Sequence, residues 1–205
     1  MAAISDSQLP LVKRLYYRNL CSAREIAQIL NVTLFATYYC MRKHGLKRRT
    51  FSEQNHVRFM KKKPSFFPKT ANTLTLKELK VAGVFLYWAE GYKRGHLVDF
   101  TNSDVEIIKI FMKFLRRVCG IQESKIRIKL FCYPNHNAQQ LKKFWSKITK
   151  APLSQFHKSY IRKNFNDEST NRLPYGLIHI IYSDKKLLLL IKEWIDHYIN
   201  KWAVT

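Results

Sequence analysis

The stretch VAGVFLYWAEGYK, residues 81–93, decides how the larger part of this chain folds. With the preceding residues it predicts one helix from Leu76 to Glu90. From Val81 to Ala89 the residues are apolar almost all round a 3.6-residue period, so the helix is expected to be buried. It closes on Glu90-Gly91. A carboxylate at a helix C-terminus opposes the dipole. Burial adds to that cost unless a cation or a hydrogen-bond donor compensates, and a metal ion is such a cation.

Downstream, helical and two-residue periods alternate. HLVDFTN (96–102) reads as a strand with Val98 and Phe100 inward and Asp99 and Thr101 outward. Ser103 is the expected cap of a helix running to Val118, with Ile107, Ile108, Phe111, Phe114 and Leu115 inward. KIRIKLFCY (125–133) alternates fully. Ile126, Ile128, Leu130 and Cys132 share one face; Lys125, Arg127, Lys129, Phe131 and Tyr133 share the other. A helix carrying Leu141, Phe144 and Trp145 is expected over Asn137–Lys147. A further strand is expected in LSQFHKSYIRK (153–163). Asp184 should cap a last helix that packs Leu187, Leu188, Ile191, Trp194, Ile195 and Tyr198 on the sheet. These stripes are core positions, not cofactor sites.

In order and spacing, VAGVFLYWAEGYK, VDFTNSD, EIIKIFMKFLRRVCGI, KIRIKL, KKFWSKIT and LPYGLIHIIY resemble the LAGLIDADG homing endonucleases, including the intein-borne type. The resemblance covers about residues 76–198. It implies a mixed α/β domain with helices on one face of an antiparallel sheet and DNA on the other. It also implies that Glu90 is a catalytic carboxylate and ligand of a divalent metal, usually Mg2+, at the scissile phosphate. One such motif is present, so two chains would have to pair as a homodimer. Lys93, Arg127 or Lys129 would then stabilise the charged transition state, and Lys93, Lys125, Arg127 and Lys129 would hold DNA.

Upstream, Ser22-Ala-Arg-Glu25 is a capping-box pattern, Leu30-Asn31-Val32 is a tight turn, and Thr33 caps a helix that stops at Gly45. With a helix over Leu9–Asn19, this predicts a three-helix module. REIAQILNVTLFATYYCMRKHGLKRR (24–49) resembles the helix-turn-helix regions of resolvases, transposases and bacterial regulators. Leu34, Thr37, Tyr38 and Met41 are expected to face the other helices. Thr33, Phe35, Ala36, Tyr39, Arg42 and Lys43 are left toward DNA, and Arg48 and Arg49 toward phosphates. The expected organisation is therefore α+β: a helix-turn-helix domain over 1–50, a basic linker over 51–73 and an endonuclease-like domain over 74–205.

Composition fits a polyanionic partner. The chain has 205 residues and a formal net charge of +23, divided as +11 over residues 1–73 and +12 over 74–205. Each cation placed on a phosphate releases condensed counterions. Duplex DNA is the expected partner, held for cleavage or, as alternatives, by a non-catalytic transcriptional regulator on the same scaffold or an RNA-binding splicing helper. No signal-peptide pattern or membrane-length apolar run is evident, so a cytoplasmic, nucleoid-associated protein without membrane contact is expected. The four cysteines lack CxxC spacing and are expected to be reduced.

Overall fold

Short polar side chains start most of the helices, as their capping chemistry requires. In the computed structural model, which describes residues 4–162 and 173–202, the chain divides into two compact units, Met1–Lys63 and Pro64–Thr205. In the first, α1 (Leu9–Lys13) continues through a wider π-type turn, Arg14–Arg18. Helix α2 (Ala23–Ile29) begins with a closed capping box between Ser22 and Glu25. Asn31, in the left-handed conformation at φ 52°, turns the chain into α3 (Leu34–Lys43), which Thr33 caps through the Ala36 N–H. Val12, Leu15, Tyr16, Ala23, Ile26 and Met41 form the core of this unit.

Residues 51–73, expected as a linker, are structured instead. Helix α4 (Phe51–Lys61) starts at a second capping box, Thr50 with Glu53. Beyond it, an arm is stitched into the second unit: Phe67 N–H donates to Gly120 O at 3.0 Å and Lys69 N–H to Val118 O at 2.9 Å. The buried Asp184 carboxylate accepts from Ser65 N–H at 2.8 Å and from Ser65 Oγ at 2.6 Å. Lysine-rich composition conceals this arm because most of its bonds are made by backbone, on which composition is silent.

The second unit runs α5 (Leu74–Glu90), β1 (Val98–Asn102), α6 (Val105–Phe114), β2 (Ile126–Cys132), α7 (Ala138–Thr149), β3 (Tyr160–Ile161), β4 (Leu177–Tyr182) and α8 (Lys185–Trp202). The architecture is α+β. The sheet order is β1-β4-β2-β3. Strands β1 and β2 pair antiparallel with the central β4, whereas β3 pairs parallel with β2. The expected antiparallel sheet is thus corrected at its edge. Of the strand expected over 153–163, Lys163 lies outside the described residues, and among the described ones the strand is Tyr160–Ile161, after a 3-10 turn at Leu153–Gln155.

Phe100, Ile128 and Ile180 line up across the inner face of the sheet, fully buried with Val98, Ile126 and Tyr182. The aromatic rings of α6 pack above them, with Phe100 stacked on Phe111 at 3.9 Å. Asp104, not the expected Ser103, caps α6, because its carboxylate reaches both the Glu106 and Ile107 N–H groups. Asn137 and Asp184 cap α7 and α8.

Helix α5 corrects the expectation of full burial. It buries a stripe of Gly83, Val84 and Tyr87 and leaves Ala82, Trp88, Ala89 and Glu90 exposed. A helix lying on a layer has one side turned away from it, whatever its composition. Gly83 is spent inside the chain, since a Cβ there would collide with the Phe114 ring.

Candidate nucleic-acid interface

Alternation in β2 and β4 puts every second residue on the sheet face opposite the core. Cross-strand rows on that outer face read Asp99–Ile181–Arg127, Thr101–His179–Lys129 and Leu177–Phe131–Tyr160. All are half-buried or exposed, in contrast to the inner face. Arg127 is exposed, and its guanidinium donates through Nη1 to Ser124 O at 2.7 Å and to Ile126 O at 2.8 Å. Lys129 Nζ lies 4.9 Å from the Phe131 ring centroid and 5.9 Å from that of Tyr160. Asp99, expected to point outward, stands 3.2 Å from His179 Nδ1. Lys125, placed by alternation on this face, sits instead in a 3-10 turn before the strand, and Tyr133 is buried beyond its end.

In the first unit, α3 turns Thr37, Cys40 and Met41 inward. Phe35 is 77% exposed and Tyr39 53%, and Arg42 and Lys43 are exposed beside them. Ala36 is half-buried, and Thr33 is committed to the helix cap. Tyr38, expected inward, is exposed and carries the Arg48 guanidinium 4.4 Å from its ring centroid. Lys43 pairs with Asp6 at 3.2 Å on the surface.

Arg49, expected to contact phosphate, is a structural cation. Its guanidinium covers the Tyr16 ring at 4.1 Å and donates to the carbonyls of Leu20 and Cys21. Its N–H donates to Tyr16 Oη at 2.7 Å. Between α4 and the other helices of this unit opens a cavity of about 620 Å³ whose lining includes Arg24, Arg48, Arg58, Lys61 and Glu25. Lys61 reaches Glu25 at 3.1 Å. The Ser22 N–H and hydroxyl act with Lys61 to lower the Glu25 pKa from the ordinary 4.5 to about 2. Sequence reasoning misses Arg58 and Lys61, because the composition around α4 reads as linker, and with them the cavity that Arg24 of α2 lines.

Glu90 is exposed at the last residue of α5. Among the described residues no three His, Cys, Asp or Glu side chains gather as a metal site. Lys93, expected to hold DNA, donates to Trp88 O at 2.6 Å and so binds a free carbonyl at the end of α5. Gly91 bridges to Phe100, and Tyr92 N–H donates to Asp99 O at 2.8 Å, which extends the sheet edge beyond β1. The cysteines are unpaired, and burial pushes the Cys119 and Cys132 thiols up, so neither offers a ready thiolate. Among the described residues no helix is long and apolar enough to cross a membrane.

Comparisons with protein-family models, curated proteins and solved structures find no match to this chain.

Proposed function

We propose that this chain is a DNA-binding protein that holds the phosphate backbone with both of its units. The observation that carries the reading is the outer face of the sheet. There Arg127 and Lys129 stand in adjacent cross-strand rows, while Ile128 between them is buried. On a chain of net charge +23, such a face is suited to a polyanion and needs no base-specific reader. Helix α3, with Phe35, Tyr39, Arg42 and Lys43 exposed, is the element for the major groove in a helix-turn-helix mode. Two weak binding surfaces joined in one polypeptide raise each other's local concentration.

The test is anisotropy titration of the full chain on a 30-base-pair duplex, with Arg127→Glu and Lys129→Glu combined. A loss of about tenfold or more, with a salt slope shallower by about 1 for each phosphate contact removed, supports the reading. Unchanged affinity in the double variant, or no binding by the wild type, would overturn it.

A second reading, metal-dependent cleavage, is favoured by α5. Ala82 and Ala89, seven residues apart, are exposed on either side of half-buried Phe85, and Glu90 follows at the end of the helix. Phe85 belongs to an aromatic group with Trp88, Tyr198 and Trp202. A second copy seated on this face would bring two Glu90 carboxylates near one another, the kind of donor set that Mg2+ takes. Relaxation of supercoiled plasmid with Mg2+ by the wild type, abolished in Glu90→Gln, would support cleavage. Binding without relaxation would leave a regulator.

A further inference from the structure

We infer that the outer face of the sheet carries a stacking site for an unpaired base of single-stranded DNA, built from Phe131 and Tyr160 with Lys129 for the adjoining phosphate. The inference rests on the nucleic-acid reading above and assigns that face a more specific ligand.

Three aromatic groups form a connected surface there. Phe131 stacks on His179 with centroids 4.5 Å apart and meets Tyr160 at 5.2 Å. Tyr160 is 52% exposed, on a two-residue edge strand that pairs with β2. The Asp99 carboxylate, 3.2 Å from His179 Nδ1, orients the imidazole under Phe131. Lys129 Nζ sits over both rings, 4.9 Å and 5.9 Å from their centroids. A half-exposed ring in water, flanked by a cation, is a poor fit to intact duplex, where the faces of the bases are covered by their neighbours. It suits a base with a free face, because stacking needs an accessible π surface and the neighbouring ammonium can take the negatively charged linkage. The sequence offers half of this: alternation in KIRIKLFCY puts Phe131 beside the cations. Register supplies the rest, bringing His179 from β4 and Tyr160 from β3.

The experiment is titration of the full chain on a 20-nucleotide single strand containing 2-aminopurine, the same strand annealed to its complement, and its RNA counterpart. The wild type, Tyr160→Leu, Phe131→Leu and Lys129→Gln are compared, with circular dichroism to verify folding. Leucine keeps apolar bulk and removes the π face. The expected result is quenching of 2-aminopurine on the single strand and a roughly fivefold to hundredfold loss of single-strand affinity in each leucine variant, with duplex affinity changed less than threefold. Leucine variants that bind and quench the single strand like the wild type, while the wild type binds duplex, overturn this site and leave the nucleic-acid reading standing. Failure of the wild type to bind either form overturns both. RNA bound more than tenfold tighter than DNA overturns the assignment to DNA.

Discussion

Gly120, Gly83 and Asp184 each do something their residue type permits and few others would. Gly120 closes the turn after α6 at φ 63°, and a Cβ there would strike the backbone of Phe67. Gly120→Ala is expected to cost at least about 2 kcal/mol in urea unfolding, from left-handed strain plus the collision with the arm. Asp184 joins the arm to α8. Burial alone would raise its carboxyl, but donors from Ser65, Lys186 and Leu187 outweigh that and hold it below the ordinary 3.8. A carboxyl lowered by folding contributes stability that is complete above its unfolded value. That stability is lost progressively as pH falls from the unfolded value through the folded one, so this contribution should start to decline near about pH 4 and be gone only at lower pH. Asp184→Ala should remove about 2–4 kcal/mol at neutral pH, because the Ser65 N–H is left buried without a partner and α8 loses its cap. A melting-temperature profile between pH 7 and pH 2 that is steeper in the wild type than in Asp184→Ala checks both statements.

At the scale of elements, the two arginines Arg42 and Arg49 differ in how far the fold holds them. Arg49 is held among Tyr16, Leu20 and Cys21, whereas Arg42, on α3, lies against the Tyr39 ring, 5.9 Å from its centroid. Arg49→Ala should therefore destabilise the first unit by roughly 1–3 kcal/mol. Arg42→Ala should leave stability within about 0.5 kcal/mol and lower duplex affinity. Equal loss of stability in both variants would contradict this division. Helix α5 shows the limit of periodicity as a guide. Its composition reads as buried on every side, yet its packing against α6 and α8 covers one stripe. The strands are more legible: β2 buries Ile126, Ile128, Leu130 and Cys132 as the pattern requires, because a pleat admits just two faces. The edge strand β3 is not, since two paired residues leave too short a pattern to distinguish from loop.

For the whole molecule, charge is the dominant fact. On the proposed reading, a net +23 spread over both units predicts that affinity for DNA falls steeply with salt. If about five phosphates are neutralised, the loss between 50 and 200 mM salt is roughly 10²- to 10³-fold. A flat salt dependence would mean that the cations are not on the phosphates. Composition, capping residues and alternation determined by themselves that this chain has a helical N-terminal unit, an α+β unit and a surplus of cations, because these are local or summed properties. Which cations are spent inside the chain, which strands adjoin, and where Phe131, His179 and Tyr160 meet were decided by tertiary structure alone. Each depends on segments far apart in sequence coming together, and no local pattern encodes a cross-strand register.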